Sequence, residues 1–222
     1  MINILLVEDD KSFGYVLSEY MSLKNYKVIW KETAVDAIDA FSGCTFDLII
    51  LDINLKNASG YDVAAELKKH NSNIPFIFLT ARDLKIDQLK GYQLGAEEYI
   101  TKPIDEEILI AKIEAIITRR SQDKTTSEVL VFEDIILNTS KRELISLDKT
   151  IQLTERECLL MKYLILKPNK LVERKIILQH LWESQDEFSR NSMDVYISRL
   201  RKYISNSKVS IRNVHGKGFV LE

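Results

Sequence analysis

The sequence predicts an α/β protein in two parts: a doubly wound parallel sheet built from five βα repeats, then a smaller α+β module. Three observations predict it. Short apolar runs alternate with amphipathic stretches as far as about residue 119, the rhythm of parallel strands joined by crossover helices. The stretch 118–127 then contains no apolar residue and reads as a solvated boundary. Beyond it come strands, three helical patterns and a glycine-bearing hairpin.

In the first part, strands are expected at 2–7, 27–30, 48–52, 76–80 and 99–101. The first helix carries Phe13, Val16, Leu17, Tyr20 and Met21 as its apolar stripe. The second carries Val35, Ile38 and Phe41, with Thr33 placed to cap it. Val63, Ala64 and Leu67 mark the third, and 84–94 the fourth, stopped by Gly95. The fifth spans 105–119, with acids in its first turn and bases in its last, as the helix dipole favours. In the second part, 129–137, 143–147 and 150–153 read as strands. Thr154 and Glu157 form a capping box that opens a helix with Cys158, Leu159, Met161, Tyr163 and Leu164 on its apolar side. Helices follow at 173–182 and 191–204, and the hairpin is centred on Gly216 and Gly218. Three helices and a hairpin suggest a winged helix-turn-helix. The expected domains are 1–120 and 128–222, with a linker at 121–127.

A chain of 222 residues accommodates two ordinary domains. Its 45% hydrophobic and 29% charged residues are those of a soluble globular protein. No apolar stretch is long enough to span a bilayer and no leader pattern opens the chain, so a cytoplasmic protein without membrane contact is expected. Cys44 and Cys158 fall in different parts and read as two reduced thiols. The net charge of −2 is split: residues 1–125 carry −5 and residues 126–222 carry +3, which points to different partners for the two parts.

Four of the apolar strands end in reactive groups: Glu8, Asp9 and Asp10 after the first, Asp52 after the third, Thr80 after the fourth, Lys102 after the fifth. In doubly wound sheets the ligand crevice lies at these carboxyl ends. Asp9 and Asp52 would supply oxygens to a hard cation such as Mg²⁺ (or Mn²⁺), with Glu8 close by through water. Crowded carboxylates repel one another, an effect that a bound cation and Lys102 offset. Asp52 then suits a nucleophile toward phosphorus, and Thr80 a hydroxyl that bonds a phosphoryl oxygen.

Glu8-Asp9-Asp10, Asp52 with Gly60 eight residues on, Thr80-Ala81 and the run from Gly95 through Thr101-Lys102-Pro103 resemble the receiver domain of bacterial two-component response regulators, over about residues 1–120. The resemblance implies a flavodoxin-like sheet of strand order 2-1-3-4-5. It implies a phosphoacceptor at Asp52 served by a partner histidine kinase, and a metal ligand in the main-chain carbonyl of Asn54. It also implies that Tyr99 swings inward when Thr80 engages the phosphoryl group, Ala81 leaving room for it. Such a domain assists only its own phosphoryl transfer and dephosphorylation and is not otherwise an enzyme. Lys56 replaces the family's usual proline, so that loop is expected to be less stiff. The family pairs through its fourth helix, fifth strand and fifth helix, which corresponds to Lys90, Glu97, Glu98, Lys112 and Arg119 here. Ile108 stands where the family usually has glutamate, so one ion pair with Lys90 should be missing.

In the last helix Met193, Ile197, Leu200 and Ile204 share the core side, leaving Asn191, Asp194, Val195, Ser198, Arg199 and Lys202 opposite. From Arg190 to Lys217 there are seven Lys and Arg against the single acid Asp194, a balance suited to phosphates and the major groove. Arg199 is the expected reader of a base edge, since guanidinium bonds guanine bidentately. Arg190, Ser192, Tyr196, Arg201 and Lys202 are expected on the backbone, and His215 and Lys217 in the adjacent minor groove. These segments, with Leu153-Thr154 and Val214–Phe219, resemble the effector domain of OmpR/PhoB-type regulators across about 126–222. The resemblance implies direct-repeat sites on double-stranded DNA, a homodimer when phosphorylated, and contact with RNA polymerase through the acidic stretch 183–187. Family members often have arginine where Asn191 and His215 stand, so the wing contact is expected to be weaker or pH-sensitive.

Two other readings compete. A phosphatase on a similar sheet would carry its nucleophile in an Asp-x-Asp pattern after the first strand, which Glu8-Asp9-Asp10 does not fit. A regulator that ignores phosphate would not need the whole pocket.

Overall fold

The computed structural model describes the chain except residues 57, 70–73, 124–127, 148 and 183–186, and except the side chains of 119–123 and 187–188. The chain divides into two compact units, Met1–Arg119 and Arg120–Glu222.

In the first unit β1 (Ile2–Val7), β2 (Tyr26–Lys31), β3 (Leu48–Leu51), β6 (Phe76–Thr80) and β7 (Glu98–Thr101) form a parallel sheet in the order β2-β1-β3-β6-β7. Since β4 (Asn54–Leu55) and β5 (Ala58–Ser59) pair only with each other, this is the 2-1-3-4-5 order expected from the sequence. The small β4–β5 ladder was not foreseen. Both faces of the sheet are covered. Ile4, Leu6, Ile50, Ile77 and Leu79 pack with Leu17 and Met21 of α1 (Lys11–Leu23) and Ile113 and Ile116 of α5 (Glu106–Asp123). Leu5, Val7, Ile49, Leu51 and Phe78, of opposite parity, are equally buried. The remaining helices are α2 (Ala34–Gly43), α3 (Gly60–Lys69) and α4 (Lys85–Leu94).

Three expectations need correction here. Val16 and Val35 are exposed, and Gly14, Ala34 and Ala37 are buried in their stead. Helices pressed close to a sheet select small residues, and an apolar stripe counted on large side chains misses them. The fifth helix runs on to Asp123, through the first three residues of the expected linker, because 118–123 contains no glycine or proline to stop it. Residues 124–127, the rest of that linker, lie outside the described residues.

The second unit opens with an antiparallel sheet ordered β11-β10-β9-β8, from β8 (Val129–Phe132), β9 (Ile135–Asn138), β10 (Glu143–Ser146) and β11 (Lys149–Gln152). The single strand expected at 129–137 is therefore a hairpin, turned at Glu133 with φ of 50°. Then come α6 (Glu155–Ile165), β12 (Val172–Glu173), α7 (Arg174–Leu181), α8 (Glu187–Tyr203) and the wing β13 (Ile211–Val214) and β14 (Gly218–Leu221). The capping box forms as read: Thr154 Oγ1 accepts from Glu157 N and Glu157 Oε2 from Thr154 N. α8 begins four residues before the expected Asn191, so Glu187 is helical rather than part of a loop; 183–186 lie outside the described residues. A second core, including Leu160, Met161, Ile177, Tyr196, Leu200 and Phe219, closes this unit on itself.

Candidate phosphoacceptor pocket and nucleic-acid interface

Parallel pairing of β1, β3, β6 and β7 brings their carboxyl ends to one edge of the sheet. Main-chain bonds continue past the strands: Asp52 N donates to Val7 O at 2.9 Å and Lys102 N to Thr80 O at 2.8 Å. The polar residues so placed converge. Lys102 Nζ lies 2.6 Å from Glu8 Oε2 and 2.7 Å from Asp52 Oδ2, and 4.4 Å above the Phe13 ring. Asp52 Oδ1 accepts from Asn54 N at 3.0 Å. Glu8, Asp52 and Thr80 are buried. Oxygens of Glu8, Asp9 and Asp52 lie within 4.8 Å of one another. Asp10 is absorbed elsewhere, capping α1 by accepting from Ser12 N and Phe13 N, and those bonds hold its carboxyl below the usual range. The glycine eight residues after Asp52 also has a reason: a Cβ on Gly60 would stand 2.1 Å from the Asp52 carbonyl oxygen.

Burial pushes Glu8 above the usual glutamate range, Lys102 opposing the shift and Asp52 adding to it. The folded chain therefore binds this proton more tightly than the unfolded chain. The associated stability is present below the unfolded value and is lost as pH rises through the folded one. Glu8→Gln should accordingly raise the thermal midpoint at neutral pH in EDTA, with the difference from wild type vanishing below about pH 4. Scanning calorimetry against pH checks this; an equal shift at every pH would refute it.

Beside the pocket, Thr80 Oγ1 accepts from Arg82 N at 3.4 Å. Arg82 Nε donates to Asn54 Oδ1 at 2.7 Å, and its guanidinium lies 3.3 Å from Asp87 Oδ1. Ala81 is exposed. Tyr99 is turned inward, 8% exposed, and its hydroxyl donates to Arg82 O at 3.0 Å. Burial, then the neighbouring Tyr61, raise its hydroxyl far above the ordinary tyrosine range. Tyr61 donates to Asp87 O at 3.0 Å and is itself pushed up to about 12, mainly by burial.

In the second unit Arg190, Asp194, Ser198, Arg201 and Lys202 of α8 are exposed and Asn191 half-buried, as are His215 and Lys217 exposed on the wing. Three residues expected on DNA are placed otherwise. Tyr196 is fully buried in the core beside Trp182. Ser192 is also fully buried and accepts from Trp182 Nε1 at 3.3 Å. Arg199, expected to read a base, is turned inside: its Nε lies 2.8 Å from Oε1 of the fully buried Glu157, and Tyr203 OH joins both. Burial alone would lower the Arg199 guanidinium; Glu157 and Tyr203 more than reverse that. Arg201 keeps its exposed face while Nε donates to Ile211 O at 2.8 Å, tying α8 to the wing. Asp194 pairs with Arg174 at 2.7 Å. A recess of about 660 Å³ lies between the wing and the starts of α7 and α8; among the described residues it is lined by Arg174, Lys175, Arg190 and Lys217 against the one acid Glu173. Sequence reading missed Arg174 and Lys175, because they stand on a different helix from the basic run.

Residues 4–114 match the model of the response regulator receiver domain, and residues 148–221 that of the transcriptional regulatory protein C-terminal domain. The transcriptional regulatory protein RprY of Bacteroides fragilis is 36% identical over 222 residues, covering 99% of this chain and 94% of its own. Response regulator protein GraR of Staphylococcus aureus is 33% identical, covering 99% of each chain. Among solved structures, a mutant of RitR superposes over 100% of this chain and 99% of its own, with TM-score 0.83 and 27% identity. The response regulator DrrB, described as a Thermotoga maritima OmpR/PhoB homologue, covers 99% of this chain and 98% of its own, with TM-score 0.50 and 26% identity.

The chain is an OmpR/PhoB-type response regulator.

Its receiver domain offers three carboxylates converging on one point, all hard oxygen donors, which fits a Mg²⁺-sized cation better than a soft-ligand metal. The residues that the sequence reading assigned to a pairing face are unevenly exposed. Lys90 is exposed, with Nζ 4.1 Å from the Tyr61 ring centre. Glu97, expected in a surface ion pair, is buried, and Glu98 Oε1 accepts from Tyr92 OH and from Tyr99 N. Lys112 is half-buried. Ile108 is exposed, as are Leu84 and Ile86, which sequence reading did not single out. The Arg119 side chain lies outside the described residues. No described helix is long and apolar enough to cross a membrane.

Proposed function

We propose that this response regulator is switched by phosphorylation of Asp52 by a partner histidine kinase, and that the phosphorylated receivers pair so that the effector domains grip DNA together. The observation that carries the reading is Lys102 bridging Glu8 and Asp52 while three carboxylates face one point. An Asp52 oxygen attacks the phosphorus of phosphohistidine. The P–N bond breaks, its electron pair staying on the imidazole, and an acyl phosphate remains on Asp52. Lys102 sits where it can neutralise a phosphoryl oxygen, and the Thr80 hydroxyl is the neighbouring donor. Glu8, Asp9, Asp52 and the Asn54 carbonyl would hold Mg²⁺ (or Mn²⁺), which supplies charge neutralisation and orientation for the phosphoryl oxygens. Hydrolysis reverses the state: water attacks phosphorus, the P–O bond breaks, and carboxylate and inorganic phosphate result. Acetyl phosphate with Mg²⁺ should add one hydroxylamine-labile phosphoryl group by intact mass; no addition refutes the reading.

Pairing would use the face that carries Lys90, Glu97, Glu98, Ile108 and Lys112. With Glu97 buried and Ile108 in place of an acid, the exposed Ile108 would contribute apolar packing rather than an ion pair, which on a surface is worth only about 0–1 kcal/mol. Light scattering should show a doubled mass with beryllofluoride and Mg²⁺; an unchanged mass speaks against pairing.

On DNA, Arg190, Asn191, Asp194, Ser198, Arg201 and Lys202 are the side chains α8 presents, with His215 and Lys217 on the wing. The basic recess would seat a backbone phosphate. Lys175→Ala should weaken binding to all duplexes alike and lower the salt slope by about 1. Binding isotherms against salt check it, and an unchanged slope removes the recess from the interface. Direct-repeat sites in the cytoplasm and contact with RNA polymerase complete the proposal.

A further inference from the structure

Trp30 belongs to no strand end that carries chemistry, yet its indole Nε1 donates to the carbonyl oxygen of Glu8 at 2.8 Å. That carbonyl lies just past the end of β1, beyond the ladder, where a main-chain acceptor needs another partner. It belongs to the planar peptide unit joining Glu8 to Asp9. Fixing its oxygen restrains the peptide plane from whose two ends the Glu8 and Asp9 side chains leave. The same turn is pinned twice more: Glu8 N donates to Lys31 O at 3.0 Å, and Asp10 N to Glu8 Oε1 at 3.3 Å.

The indole reaches this position because α1 gives way to it. A Cβ on Gly14 would stand 2.5–2.7 Å from the Trp30 ring. Glycine inside a helix costs about 0.5–1 kcal/mol relative to alanine, so its place in α1 needs a reason, and the ring supplies one. Phe13, next to Gly14, covers Lys102. One turn of α1 thus meets both the indole, at Gly14, and Lys102, at Phe13.

We infer that Trp30, seated by Gly14, is a positioning residue for the divalent-cation site: its N–H bond to the Glu8 carbonyl holds Glu8 and Asp9 in the geometry that binds the ion. The inference rests on the metal reading of the pocket given above. Losing such an outer hydrogen-bond partner typically lowers metal affinity about 10–100-fold.

The test uses the full-length chain and Mn²⁺ alone, titrated by electron paramagnetic resonance well below the melting midpoint. Trp30→Phe keeps an aromatic ring and removes the donor; Gly14→Ala keeps the donor and displaces the ring. Both should raise the Mn²⁺ Kd about tenfold while circular dichroism stays that of wild type. In the wild type, the Trp30 indole N–H resonance should shift on adding Mg²⁺ while that of Trp182 stays put, a readout that needs no variant. A Kd within twofold of wild type in Trp30→Phe, or an indole resonance unmoved by saturating Mg²⁺, overturns the inference and leaves the metal reading standing. Absence of Mn²⁺ binding by the wild type overturns both.

Discussion

Asp52→Asn is expected to abolish phosphoryl incorporation from acetyl phosphate and from a histidine kinase, a loss of at least a hundredfold on Phos-tag gels. The amide keeps the size of the carboxylate and can still accept from Asn54 N and contact Lys102. It lacks the anionic oxygen that must attack phosphorus. The same change removes one of the three carboxylates that face the cation point. Because Asp52 pairs with Lys102 in a buried site, stability will move too, so the gel must be read beside a melting curve. Asp52→Asn protein that folds and still takes up phosphate at the wild-type rate would show that the acceptor lies elsewhere. DNA occupancy unchanged between phosphorylated wild type and Asp52→Asn would instead leave the pocket chemistry intact and sever it from control of DNA.

Arg199→Ala is expected to destabilise the second unit by about 3–5 kcal/mol, the cost of stranding a buried charge whose partner has been removed. Glu157 is fully buried and accepts from Arg199, from Tyr203 OH and from Thr154 N. Among the described residues, removing the guanidinium leaves the carboxylate with two neutral donors and no counter-charge. It also removes one of the two side-chain links from α8 to the first turn of α6, leaving that of Tyr203. Urea unfolding followed by the fluorescence of Trp182, buried in the same unit, measures the loss. Arg199→Lys restores charge without the planar fork and should recover part of it. A base-reading Arg199 would give the opposite pattern: unchanged unfolding midpoint, weaker binding, and relaxed specificity at one base position.

That contrast marks where the sequence was legible. Strand-end groups could be read because each sits one step past an apolar run, and the parallel rule brings those ends together. Glu8, Asp52 and Lys102 therefore meet beyond the strand ends, and Thr80 closes its own strand beside them. Arg199 could not be read in this way. Helical spacing showed that it avoids the main apolar stripe, but its partner lies 42 positions earlier, in a capping box that already gave Glu157 a local task. Tyr196 and Tyr203, three before and four after it, were the signal that this face also packs inward. Ser192 was misplaced for a similar reason: a small polar residue near a helix start looks exposed until a tryptophan just past the end of the preceding helix claims it. Val16 and Val35 failed on size, since the close approach of helix to sheet chose Gly14, Ala34 and Ala37. Trp30 carried no sequence signal beyond membership of an edge strand.

Each unit has an apolar core drawn from its own span, residues 4–116 in the first and 135–221 in the second. A recombination event between them would leave both interiors whole. Cutting and rejoining the chain there is a route by which a different receiver could be set to command the same genes.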